Sequence, residues 1–81
     1  MSKIEKLREK MKNNPNGDWI IEDVERVAAY YGFAWIDGKG SHQNFYHKKL
    51  SMILTIPCKR PIKAIYIKKL LGMIEEIEGM K

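Results

Sequence analysis

Eighty-one residues with a net charge of +5 and one cysteine allow a single domain, residues 1–81, and exclude an internal disulfide framework. No apolar run approaches the roughly 20 residues that a membrane span needs. The N-terminal "MSKIEKLREKMK" lacks the apolar centre of a signal peptide, so the expectation is a soluble protein of the reducing cytoplasm.

Ile4, Leu7 and Met11 recur at helical spacing and predict a first helix from Lys3 to Lys12, within an N-terminal extension over residues 1–16. "NNPNGD" then breaks it with turn residues. Ile20, Val24, Val27, Ala28 and Tyr31 mark a second helix. Glu22 and Asp23 in its first turn suit the helix dipole. Asp18 is the candidate N-cap, and Gly32 stands where a terminating glycine belongs.

The period then changes to about two. "FAWID", Phe33 to Asp37, reads as a first strand, and "GKGS" as a turn. "HQNFYHK", His42 to Lys48, reads as a second strand. "SMILTIP", Ser51 to Pro57, reads as a third, with Met52, Leu54 and Ile56 on one face and Ile53 and Thr55 on the other. Short connections imply an antiparallel meander. After the loop "CKRP", Ile67, Leu70, Leu71, Ile74 and Ile77 mark a last helix from Lys63 to Glu78. Its lysines lie early and its glutamates late, against the dipole, which hints that the lysines are placed for a partner. The expected class is α+β: α-β-β-β-α with an additional N-terminal helix, and a three-stranded antiparallel sheet with helices on one face.

The charge is segregated along the chain. Residues 1–16 carry +3, residues 17–37 carry −4, residues 38–70 carry +8 without one acid, and residues 71–81 carry −2. A basic window of 33 residues suits a polyanion, because each neutralised phosphate releases a counterion. Interleaved aromatics and amides favour that reading over a merely solvated face.

Alternation puts His42, Asn44, Tyr46 and Lys48 on one side of the second strand, and Gln43, Phe45 and His47 on the other. Phe45 is the core anchor, so the first set faces outward. Tyr46 can stack a base, Asn44 can bond sugar or base, and Lys48 can meet phosphate. The window has no carboxylates to hold Mg²⁺ for phosphodiester cleavage, and Cys58, His42 and His47 lack zinc-site spacing. Metal-free chemistry remains. RNA brings its own 2′-OH nucleophile, and an imidazole titrates near neutrality. Lys39 and Lys48 would steady charge on the phosphorane, and Gly38 and Gly40 on either side of Lys39 would let backbone N–H groups approach a phosphate. This permits an endoribonuclease and disfavours a DNase. A non-catalytic RNA-binding module and a protein-interaction domain remain open.

Against these roles, Ser41 reads as a turn residue rather than a nucleophile, His47 as a partly buried strand residue and Cys58 as a small half-buried one. Trp35 reads as packing. No cofactor and no metal site is expected.

"KGSHQNF", Lys39 to Phe45, is followed by "LTIP", a basic loop and "IKAIYIKKLLGMIEE", and is preceded by "VERVAAYYGF". Together these resemble the HicA-type mRNA interferase toxins of type II toxin–antitoxin systems, over about residues 19–78. The resemblance implies a fold similar to double-stranded-RNA-binding domains. It implies mRNA as substrate, His42 as the catalytic residue of a metal-independent endoribonuclease, and silencing by a HicB-type antitoxin. The RNA-contacting set expected around His42 is Lys39, Gly40, Ser41, Asn44 and Tyr46. Lys48, Lys49, Lys59, Arg60 and Lys63 extend it as phosphate contacts.

Overall fold

A computed structural model describes residues 2–80. Its elements run α1 (Lys3–Asn13), α2 (Ile21–Tyr30), β1 (Ala34–Asp37), β2 (His42–Tyr46), β3 (Leu54–Pro57) and α3 (Ala64–Glu78). The fold is α+β, with three helices and one three-stranded antiparallel sheet in the order β1-β2-β3. Among the described residues no helix is long and apolar enough to cross a membrane.

The helices begin and end for local reasons. Ser2 and Glu5 form a reciprocal capping box on α1, with Glu5 N–H donating to Ser2 Oγ at 3.1 Å and Ser2 N–H donating to Glu5 Oε1 at 2.8 Å. The cap of α2 differs from expectation. Ile20 occupies the N-cap, and Asp23 reaches back from the first turn to accept its N–H at 3.2 Å. Asp18 is instead held by the guanidinium of Arg60, far along the chain. Gly32 closes α2 with φ +88°, a conformation that favours glycine, and a Cβ there would stand 3.1 Å from His47 Nε2.

The strands are shorter than the alternation predicts. Phe33 lies outside β1 yet is buried, and β2 stops at Tyr46 rather than Lys48. β3 begins at Leu54, so Met52 is 57% exposed instead of sharing the core face. Leu54 and Ile56 do point inward and Thr55 outward, as period two requires.

Trp35, Phe45, Leu54 and Ile56 meet Val24, Val27 and Ala28 of α2 and Ile67, Leu70 and Ile74 of α3 in one core. Met11 of α1 is fully buried there, with Ile4 and Leu7 packed beside it, so α1 is built into the domain. Arg8 locks that arrangement. Its Nη1 donates to Glu78 Oε2 at 2.9 Å and its Nη2 to Glu78 Oε1 at 2.8 Å, while Nη1 also meets the Tyr31 hydroxyl at 3.2 Å. The guanidinium lies 5.1 Å from the Tyr31 ring centroid. The helices occupy one face of the sheet, and the other carries Ala34, Ile36, His42, Asn44, Tyr46 and Thr55.

Candidate functional site

The open face is organised by the turn between β1 and β2. Gly38 N–H donates to His42 O at 2.9 Å, and Gly40 takes φ +64°, which a side chain would strain. Ser41 O accepts Cys58 N–H at 2.6 Å, which ties the turn to the end of β3. Ser41 is therefore placed as a turn residue, and its main chain does the work.

His42 is exposed at the start of β2, and its Nδ1 lies 3.1 Å from Lys39 O. A carbonyl oxygen only accepts, so this contact places the proton on Nδ1. In the neutral ring Nε2 then carries the lone pair, and the side chain is exposed. The ring is oriented by main chain, with its basic nitrogen outward, as a general base requires.

The same face continues along β2 to Asn44 and Tyr46. Asn44 pairs with Ile36 on β1 and Thr55 on β3, and Thr55 Oγ1 donates to Asn44 Oδ1 at 2.7 Å. Tyr46 is 40% exposed and Ile36 59% exposed. Together they form a flat surface with an aromatic ring, suited to an unstacked base.

The expected basic residues fall into three groups. Lys39 shares the turn with His42. Lys59 and Lys63 lie in the loop after β3, at the His42 end of the sheet, because Pro57 pairs with His42 and Cys58 bonds Ser41. They line a shallow groove of about 160 Å³ with Pro57, Pro61 and Tyr66. Lys63 is the N-cap of α3, whose first turn holds no acid and no side-chain cap. Lys48 and Lys49 form the third group, and here the sequence expectation needs correcting. They follow the far end of β2 from His42, and the step from His42 to Tyr46 alone covers about 13 Å. One phosphate cannot touch both His42 and Lys48. Of Lys39 and Lys48, only Lys39 stands in the turn beside the imidazole.

Arg60 is not free either. Its Nε donates to Asp18 Oδ1 at 3.0 Å and Oδ2 at 3.2 Å, and its Nη2 also bonds Oδ2. The pairing lowers the Asp18 carboxyl below its ordinary range and raises the guanidinium. Both side chains are exposed, so the pair is weak enough to be exchanged for a phosphate.

Other reactive groups have structural roles. His47 is 6% exposed, with Nδ1 accepting Lys49 N–H at 3.0 Å and Nε2 donating to Tyr31 O at 3.1 Å. Its ring packs edge-on to Phe33 at 5.0 Å. Both nitrogens are used, and neither faces the open side of the sheet. Burial pushes the Cys58 thiol up, helped by the negative charges of Glu25, Asp37 and Glu22, so it stays protonated and a poor nucleophile. Trp35 packs on Phe45 at 5.3 Å between ring centroids. Gln43 Oε1 is buried with no hydrogen-bond partner among the described residues. No group of three His, Cys, Asp or Glu able to hold a metal ion occurs among the described residues.

Thr55 is the site residue that sequence reasoning missed. Its outward direction was legible from alternation, but its pairing with Asn44 depends on the register between β2 and β3, which no local signal carries. No family model, curated protein or solved structure matches the chain.

Proposed function

We propose that this chain is a HicA-type mRNA interferase, the toxin of a type II toxin–antitoxin pair, acting in the cytoplasm on a dsRBD-like fold. The observation that carries the reading is the exposed His42 imidazole, with Nδ1 anchored on Lys39 O, on an uncovered sheet face whose edge holds Lys39, Lys59 and Lys63. The α-β-β-β-α order that follows α1 supports the fold comparison. In the mechanism, Nε2 takes the proton of the RNA 2′-OH, which attacks the adjacent phosphorus. The 5′-oxygen leaves taking a proton from water, the His42 imidazolium returns its own proton to solvent, and a 2′,3′-cyclic phosphate is formed. Lys39 meets the developing negative charge, Lys59 and Lys63 hold the flanking phosphate, and Tyr46 stacks a base. No metal takes part, and no small-molecule cofactor is needed. A HicB-type antitoxin would silence the enzyme by covering His42, since that blocks the phosphate site directly.

The test is induction of the wild type and of His42→Ala in a bacterial host, following growth and mRNA integrity. Arrest with mRNA loss in the wild type alone is expected, and purified protein should cleave RNA equally well in EDTA. Cleavage that needs Mg²⁺ counts against the mechanism.

A non-catalytic RNA-binding module with a dsRBD-like fold is the second reading. It is favoured by the exposed Tyr46 and Ile36 surface, which serves binding without proton transfer. Equal growth arrest by both proteins, with intact RNA bound, would select it.

A further inference from the structure

We infer that Thr55 is a positioning residue for the site, holding the Asn44 carboxamide so that it offers only N–H donors to the phosphodiester at His42. This rests on the reading of His42 as the base of an RNA-cleaving site.

One hydrogen bond holds the amide on one side, and a glycine leaves it room on the other. Thr55 Oγ1 donates to Asn44 Oδ1 at 2.7 Å, across the β2–β3 pair. On the other side, a Cβ on Gly38 would stand 3.0 Å from Asn44 Nδ2, so the bare turn glycine is what leaves that nitrogen room. The oxygen is occupied and the nitrogen is not: Nδ2 has no hydrogen-bond partner among the described residues. An unrestrained asparagine presents either its donors or its acceptor. Here the acceptor is engaged, and the side chain meets a ligand with donors alone.

The position gives that polarity a use. Asn44 is two residues from His42 on the same face, about 7 Å along the strand, so both side chains reach one phosphodiester. Its non-bridging oxygens are acceptors only, and they gain negative charge as the 2′-oxygen attacks. A neutral donor fixed before the reaction stabilises that charge without reorganising. The benefit falls mainly on the transition state, and so on kcat. A rotated amide would present its oxygen to the same anion and repel it.

The experiment measures cleavage of a defined single-stranded RNA transcript by wild type, Thr55→Val, Thr55→Ser, Asn44→Ala and the Thr55→Val/Asn44→Ala double variant. His42→Ala is the site control, and rates are taken at a temperature where every variant is folded. Thr55→Val and Asn44→Ala should each lower kcat roughly fivefold to tenfold, as expected for one neutral hydrogen bond, with KM little changed. Thr55→Ser should keep the wild-type rate. The double variant should be no slower than Asn44→Ala alone, because Thr55 acts only through Asn44. Losses that multiply in the double variant, or Thr55→Ser as slow as Thr55→Val, overturn the inference. If His42→Ala is inactive while Thr55→Val is unimpaired, the inference fails and the reading of the site stands. If His42→Ala cleaves normally, or the wild type cleaves no RNA, both fail together.

Discussion

Two histidines lie on one strand and its extension, and their surroundings separate their roles. His42 has one nitrogen held and one free, whereas His47 has both held and its ring buried. His47→Leu leaves Lys49 N–H and Tyr31 O without partners in a poorly hydrated place. It should cost about 2 kcal/mol in urea unfolding, while the folded fraction keeps its cleavage rate; a loss of kcat in fully folded protein would return His47 to the chemistry. Gln43 is the opposite case. Its Oε1 is buried without a partner, so Gln43→Met removes a polar atom that gains nothing from folding. The expected result is a gain of about 1 kcal/mol by the same measurement. A loss would show that the oxygen is hydrogen-bonded in solution.

Among the elements, α1 is the one whose importance the sequence understates. Its apolar stripe of Ile4, Leu7 and Met11 is narrow, but Met11 is fully buried and Arg8 ties α1 to the end of α3. The Arg8 guanidinium is raised above its ordinary range, chiefly by its bond to Glu78. Arg8→Met should lower stability by about 1–2 kcal/mol, read from the urea midpoint, and Glu78→Gln should lose less because an amide still accepts one bond.

All six elements were legible from period alone, because the switch from 3.6 to 2 at Gly32 is sharp. The ends were less so, for reasons specific to each. β2 ends where His47 turns inward to bond Tyr31 O, and α2 begins with Asp23 reaching back rather than Asp18 reaching forward. Such choices depend on partners distant in sequence. The Ser2–Glu5 box on α1 is a local signature, Ser-x-x-Glu before an apolar run, that a reading by apolar period passes over. Within the site, His42, Asn44 and Tyr46 sharing one face follows from alternation. The distance of Lys48 from His42 and the capture of Arg60 by Asp18 require the folded chain.

At the scale of the whole molecule, the segregated charge sets where the proposed RNA would lie. The acid-free segment 38–70 supplies the turn, the open face of β2 and β3, and the loop into α3. The helices of the other face hold most of the carboxylates. If RNA binds as proposed, phosphate contacts from Lys39, Lys59 and Lys63 predict an affinity falling about twentyfold between 50 and 200 mM salt. Fluorescence anisotropy with a labelled RNA, using the uncleaving His42→Ala protein, measures it. A salt-independent affinity would remove those lysines from the interface. Lys59→Ala should flatten the slope, while Lys48→Ala should weaken binding only to longer RNA.

The anchor of His42 is a main-chain carbonyl, and that separates two properties which most acid–base sites must encode together. Where a carboxylate orients an imidazole, replacing that residue changes both the charge nearby and the tautomer. Here the tautomer is written in the path of the turn, chiefly in the positive φ of Gly40, and side-chain identity at position 39 is free of it. The charge of the side chain at position 39 can therefore change without disturbing which nitrogen holds the proton.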